Sequence, residues 1–297
     1  MSFSGNVKAE LCRQPIQKHC CAIAESYGAL LYCNRFAGDG IKIITESREF
    51  AQRLPRLFQK AFSVEFDTLP EDKPGKLILT IQDREKIRRI FETYGYAPEQ
   101  SLALHVNLGL LEDAWCRMSL VLGGFLAGGS VTDPEKRYHL ELTTSHLAVS
   151  RETYALLLEM GFAPKDTMRT GNQVIYFKQS DYIEDFLTML GAPVCAMGIM
   201  EAKVEKDLRN GVNRRVNCET ANLTKVVDAA QEQLAAIRLL QRNGLLETLP
   251  AKLRQTAMLR VENPEATLQE LAEMTEPPLT KSAMNHRMRK IIAYSKQ

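Results

Sequence analysis

Two stretches of the chain carry the same order of apolar and polar positions, 96 residues apart. When 76–96 is laid on 173–192, Ile78 falls on Val174, Ile81 on Phe177, Ile87 on Ile183, Ile90 on Phe186, Tyr94 on Leu190 and Gly95 on Gly191. In each copy the apolar positions alternate and then recur at three and four residues. This predicts a strand running into an amphipathic helix closed by a C-cap glycine. Upstream, GIKIITES matches YHLELTTSH as a strand, helical spacing follows at 48–60 and 147–160, and 71–76 and 169–172 supply hairpin turns. Ahead of each copy lies a helix rich in small residues, at 20–30 and at 120–131. The pattern therefore predicts one αββαββα unit present twice, an α+β domain over 15–192 preceded by an N-terminal segment, 1–14.

Beyond 193 the strand pattern stops. Helical spacing covers 197–209, and GVNRRVNCETAN reads as a polar, Asn-rich connector, so 193–222 is expected to be a linker. A long helix is predicted over 223–243, ended by Asn243 and Gly244, with shorter ones at 251–261, 268–274 and 281–294. Residues 223–297 thus read as a separate all-helical domain. Thr267 and Glu270 form a capping box, Glu276-Pro277-Pro278-Leu279 breaks the chain, and Thr280 or Ser282 caps the last helix. In that helix Met284, Met288 and Ile291 make one apolar stripe. Ser282, Asn285, His286 and Arg289 share another face, flanked by Arg287 and Lys290. One side for a core and one side of hydrogen-bonding and cationic groups is the logic of a helix-turn-helix in a major groove. A helical hairpin with a solvated face has the same spacing, and the turn here is longer than usual and lacks glycine.

Composition adds constraints. The chain has 297 residues, 45% hydrophobic and 25% charged, which excludes a disordered, collagen-like or disulfide-stapled miniprotein and suggests two domains. No apolar run is long enough for a membrane helix, and the start has no apolar signal core; a cytoplasmic protein with no membrane partner is expected. The net charge is only +2, but the last eighteen residues hold Lys281, Arg287, Arg289, Lys290 and Lys296 without one Asp or Glu. Such a block suits an anionic partner. The seven cysteines form no CxxC motif, so no metal site, cofactor or disulfide framework is expected and the thiols read as reduced core groups. The glycines at 123, 124 and 128 are not followed by Gly-Lys-Ser/Thr, so they read as an interhelical contact with the small face Cys20, Ala24 and Gly28 rather than a phosphate loop.

GGFLAGGSV, 123–131, resembles the second LAGLIDADG helix of homing endonucleases, and the duplicated αββαββα unit is similar to that fold. In active members the eighth motif position is an acid that binds the catalytic metals. With Gly28 and Gly129 set at the ninth position, Tyr27 and Gly128 take the eighth, and neither holds a cation. Glu25 and Asp133 are the nearest acids. The resemblance places the sheets over DNA, so Lys42, Lys76, Lys165, Arg169 and Lys178 become candidate phosphate contacts, scattered surface charge being the other reading. Over nearly the whole chain, SFSGNVKAEL, GGFLAGGSVTDPEKRYHLEL, NRRVNCETANLTKVVDAA and LPAKLRQTAMLR with the segments after it resemble the WhiA family. These are bacterial regulators of sporulation and cell division that join a degenerate LAGLIDADG domain to a helix-turn-helix similar to region four of sigma factors. The resemblance implies a non-enzymatic transcription regulator acting in cell division, chromosome segregation and, in sporulating relatives, sporulation. Its expected partners are double-stranded DNA, read by Thr280, Lys281, Ser282, Asn285, His286, Arg287, Arg289 and Lys290, and RNA polymerase or another regulator. A scaffold acting through RNA polymerase with weak DNA affinity, or an active nuclease, are the alternatives.

Overall fold

A computed structural model describes residues 2–16, 18–70, 75–97 and 103–296. It divides into two compact units, 1–206 and 207–297. In the first, α1 (Phe3–Cys12) leads into α2 (His19–Leu31), β1 (Arg35–Ala37), β2 (Gly40–Thr45), α3 (Arg48–Phe62), β3 (Leu77–Ile81) and α4 (Arg84–Thr93). The second copy is α5 (Ala114–Gly128), β4 (Gly129–Val131), β5 (Leu140–Thr144), α6 (Leu147–Glu159), β6 (Lys165–Arg169), β7 (Asn172–Phe177) and α7 (Ser180–Leu190). The second unit holds α9 (Ala251–Glu262), α10 (Leu268–Glu273) and α11 (Lys281–Ser295). The 50-residue α8 (Pro193–Arg242) contributes to both.

The repeat is visible as two antiparallel sheets, ordered β1-β2-β3 and β4-β5-β7-β6. β3 and β7 are the strands matched in sequence, and α4 and α7 the helices that follow them; Gly95 (φ 76°) and Gly191 (φ 93°) take the left-handed conformation after each helix. The second copy has four strands, and Thr170 and Gly171, both at positive φ, make the two-residue hairpin loop between β6 and β7. The first copy differs: where the pattern predicts a fourth strand, the described residues hold an isolated bridge, Thr68 to Thr80. The turn predicted at 71–76 falls largely outside the described residues.

One core runs through both copies, with Tyr27, Leu30, Leu31, Phe50, Phe58, Phe91, Phe125, Phe177 and Phe186 among its buried side chains. Its axis is the pair α2 and α5. A Cβ placed on Gly28 would lie 1.9 Å from the Leu120 carbonyl oxygen and 2.8 Å from the Gly124 nitrogen. One placed on Gly123 would lie 1.9 Å from the Glu25 carbonyl oxygen and 2.9 Å from the Ala29 nitrogen. Each glycine meets the residue three before and the residue one after the other glycine, so Gly28 and Gly123 are mates across a pseudo-twofold contact, 95 residues apart. Gly124 and Gly128 have another purpose: the Tyr32 ring lies 3.1 Å and 2.9 Å from where their Cβ atoms would be.

The N-terminal segment is built into this unit. Ser2 caps α1, the Gln14 side chain donates to the carbonyls of Leu190 and Gly191 (both 2.7 Å), and the Glu10 carboxylate accepts the N–H groups of Val194 and Cys195 (both 2.9 Å) at the start of α8. Residues 210–222, read from the sequence as a connector, are helical within α8 and exposed on every side. Asparagine is a weak helix former rather than a breaker, and the stretch contains no proline. No helix among the described residues is long and apolar enough to cross a membrane.

Candidate nucleic-acid interface

The second unit closes around Ile237, Leu240, Leu253, Ala257, Leu271, Ala272, Met284, Met288 and Ile291. The capping box at the start of α10 forms as the sequence predicts: the Thr267 hydroxyl accepts the Glu270 N–H (3.2 Å), and the Glu270 carboxylate accepts the Thr267 N–H (2.6 Å). Seven residues separate α10 from α11. The Thr275 hydroxyl donates to the Ala272 carbonyl (2.8 Å), and the Leu279 N–H to the same carbonyl (2.9 Å), which turns the chain without a glycine. Arg260, only 2% exposed, braces the α9 end by donating to Gln233 Oε1 (3.0 Å) and to the carbonyls of Asn263, Pro264 and Ala266. Its neighbour Gln233 lies on α8, so this packing joins α8, α9 and the loop before α10.

α11 turns Met284, Met288 and Ile291 into the core and leaves Lys281, Ser282, His286, Arg289 and Lys290 exposed, with Asn285 and Arg287 half-buried. Among the described residues, Ser282, Asn285, His286, Arg289 and Lys290 make no side-chain hydrogen bond or ion pair, so their donors face solvent uncommitted. Two residues of the expected set are already engaged. The Thr280 hydroxyl oxygen is the N-cap, accepting the Ala283 N–H at 3.2 Å, and Arg287 Nη1 donates to the Thr256 hydroxyl on α9 at 3.4 Å. Arg287 therefore helps fasten α11 to α9.

In the first unit Lys42, Lys165 and Arg169 lie on the sheet faces turned from the core, Lys76 immediately precedes β3 on the same parity as exposed Ile78, and exposed Lys178 immediately follows β7. The second sheet gathers three of them. Lys165 pairs in register with Tyr176, Lys178 Nζ stands 5.1 Å from the Tyr176 ring centre, and Arg169 bridges to Glu141 (3.3 Å), which also meets His139 (3.0 Å). Glu141 partly neutralises this face, and the first sheet contributes only Lys42 and Lys76 of the five.

The α2–α5 contact corrects one assignment. With Gly28 paired to Gly123, the residue corresponding to Gly128 is Cys33, and Tyr27 corresponds to Leu122. Tyr27 is fully buried: its ring stacks on Tyr94 (centroids 4.2 Å apart), and its hydroxyl meets that of Tyr96 (2.8 Å), donates to the His105 carbonyl and accepts the Asn107 N–H (3.1 Å). Burial, with the Tyr96 hydroxyl, pushes its phenol well above the ordinary range. Tyr27 is therefore a core tie, and under the offset of 95 the residue that mates with Gly128 is Cys33. Neither Cys33 nor Gly128 supplies a carboxylate.

The two nearest acids are also engaged. Glu25, 3% exposed, takes a two-pronged bond from Arg53 (Nε to Oε1 2.6 Å, Nη2 to Oε2 2.8 Å), while Asp133 accepts the Glu135 N–H (3.0 Å) in a turn. The one group of three side chains among the described residues that could hold a metal lies elsewhere: Cys20, Cys21 and Cys116. Burial and the two neighbouring thiols push Cys116 up to about 12. The sequence pattern offered no CxxC here, yet Cys21 and Cys116 are mates under the same offset of 95 that pairs Gly28 with Gly123.

Comparison with known proteins agrees with this architecture. The family model described as the WhiA LAGLIDADG-like domain matches residues 117–209, and that of the WhiA C-terminal HTH domain matches 212–294, the two meeting within α8. A "Probable cell division protein WhiA" of Ruminiclostridium cellulolyticum is 36% identical over 98% of this chain and 96% of its own length. One of Alkaliphilus metalliredigens is 34% identical over the same shares. Full-length WhiA of Thermatoga maritima, a crystal structure, superposes over 100% of this chain and 98% of its own with TM-score 0.60 and 25% identity. A duplicated LAGLIDADG-like domain with a C-terminal helix-turn-helix, and relatives matched end to end, place this chain in the WhiA family.

Proposed function

We propose that this protein is a DNA-binding transcription regulator of bacterial cell division, without nuclease activity, that reads duplex DNA with α11 and acts at the nucleoid. The observation that carries the reading is the acid-free face of exposed Ser282, His286 and Arg289 and half-buried Asn285 on a helix whose opposite face is locked into a core. A major groove admits such a helix, Arg pairs with guanine and Asn with adenine through two hydrogen bonds, and the exposed Lys281 and Lys290 suit the flanking phosphates. Thr280 and Arg287 fit this role through their second function, holding the start and the middle of α11 in place. Lys42, Lys76, Lys165, Arg169 and Lys178 add a weaker, sequence-independent phosphate attraction. The names of the relatives support the cell-division role. Chromosome segregation, sporulation in sporulating relatives and contact with RNA polymerase or another regulator belong to the same reading.

The test begins by mapping bound genomic sites with full-length protein, then titrates a bound and a scrambled duplex. Asn285→Ala and Arg289→Ala are expected to weaken specific binding about tenfold to a hundredfold and flatten preference at one base. Lys290→Ala should weaken both duplexes alike and lower the salt slope by about one. If both base-reading variants fold and bind both duplexes like the parent, α11 is not the reader. With magnesium or manganese the duplexes should stay intact, since no carboxylate stands at Cys33 or Gly128. Metal-dependent cutting that vanishes in Asp133→Ala would overturn that part.

A further inference from the structure

Cys20 and Cys21 occupy the first turn of α2, and Cys116 the first turn of α5. Their three sulfur atoms lie within 4.8 Å of one another, Cys20 exposed, Cys21 half-buried and Cys116 buried. Cys21 and Cys116 face each other across the pseudo-twofold contact, so the pair is produced by the duplication itself, and Cys20 completes a triangle beside them. Three thiolates sharing one cation with bonds of about 2.3 Å stand about 3.8–4.0 Å apart, so the observed spacing closes on an ion by small side-chain rotations. Neither N-cap side chain, Lys18 or Asp113, bonds back to its helix.

We propose that Cys20, Cys21 and Cys116 form a trithiolate site for a soft, thiophilic ion of the class of zinc, cadmium or trivalent arsenic. With a divalent ion three S–H bonds are replaced by three S–metal bonds and three protons pass to solvent. With arsenous acid three S–H and three As–OH bonds give three As–S bonds and three waters. No atom changes oxidation state in either case. The exposed side of Cys20 leaves a divalent ion a fourth position open to water, whereas trivalent arsenic needs only the three sulfurs. An ion here would pin the starts of α2 and α5 to each other, at the end of the helix pair that the Gly28–Gly123 contact holds farther along.

The test uses reduced full-length protein, titrated separately with zinc, cadmium and arsenite. Trp115, the chain's single tryptophan, is adjacent to Cys116 and gives a fluorescence readout. Sulfur-to-cadmium charge-transfer absorption and the count of reagent-accessible thiols give two more. The expected result is one ion per chain, three thiols masked and a raised melting temperature of the first unit. Cys20→Ser, which alters an exposed side chain and so should leave folding intact, is expected to weaken binding about tenfold or more, as should Cys116→Ser. Cys218→Ser, an exposed thiol on α8, should change nothing. Binding by arsenite alone supports the site as one for a three-coordinate metalloid, and binding by zinc or cadmium as one with a fourth ligand. Uptake that is equal in the parent and in folded Cys20→Ser and Cys20→Ser/Cys116→Ser variants, or no stoichiometric uptake of any of the three ions, overturns the proposal.

Discussion

Gly123→Ala is expected to destabilise the first unit by about 3 kcal/mol or more, at or beyond the upper end of the usual cost of overpacking a core. The ordinary effect of the change is the reverse: alanine in a helix gains roughly 0.5–1 kcal/mol over glycine, because less backbone entropy is lost on folding. Here the added methyl would sit 1.9 Å from a carbonyl oxygen of the facing helix. That atom is backbone, fixed by its own helix, so no side chain can swing aside. α2 and α5 must part by more than an ångström, and interior packing forfeits contact energy along the whole seam when they do. Gly28→Ala should cost as much, since its methyl would meet the Leu120 carbonyl at the same 1.9 Å. The double variant should cost clearly less than the sum, because the first methyl has already opened the seam for the second. Gly211→Ala is the internal contrast: it lies on α8 with nothing within 4 Å of its would-be Cβ and should stabilise by about 0.5–1 kcal/mol. Urea denaturation followed by Trp115 fluorescence and by circular dichroism measures all four. Gly123→Ala with parental stability would mean that α2 and α5 do not approach this closely.

The repeat was legible because strand and helix periods are carried by many residues at once, so the match of β3 and α4 to β7 and α7 survives divergence of any one of them. The seam was less legible. Gly28 and Gly129 look alike in sequence, but only Gly28 lies where the backbones of the two helices touch, and its mate is Gly123. Residue type alone paired Tyr27 with Gly128, whereas contact geometry pairs Cys33 with it. Applied to every residue of the seam, the true offset would also have paired Cys21 with Cys116. The polar face of α11 opposite Met284, Met288 and Ile291 was readable from spacing, and so was Thr280 as a candidate cap; what spacing could not show is that Arg287 is engaged with Thr256 within the unit. The asparagines of 210–222 suggested a loop, yet a weak preference spread over a proline-free stretch does not break a helix that continues on both sides.

Removing one partner of the Glu25–Arg53 pair should cost about 3–5 kcal/mol, the range for stranding a buried charge. Both residues are 3% exposed, and the guanidinium fits the carboxylate as a fork at 2.6 and 2.8 Å. Arg53 also donates through Nη1 to the Cys12 and Gln14 carbonyls, so one side chain ties α3 to α2 and to the chain leaving α1. Glu25→Ala leaves a cation in a dry site with only carbonyls for company, and it is expected at the upper part of that range. Glu25→Gln keeps one oxygen acceptor and should lose less. The replacement Glu25→Leu/Arg53→Met separates charge from packing. Exchanging a whole buried pair for apolar side chains is often neutral or stabilising by about 1–4 kcal/mol. Here it cannot recover fully, because it orphans the two carbonyls that Arg53 satisfies, and each unmade buried bond costs about 1–3 kcal/mol. The expected order of stability is therefore parent, then Glu25→Gln or the double apolar variant, and Glu25→Ala last. Urea midpoints read by Trp115 fluorescence at neutral pH and constant slope decide it. If Glu25→Ala unfolds within about 1 kcal/mol of the parent, the range of an exposed ion pair, the pair is solvated and Glu25 is free to face other ligands.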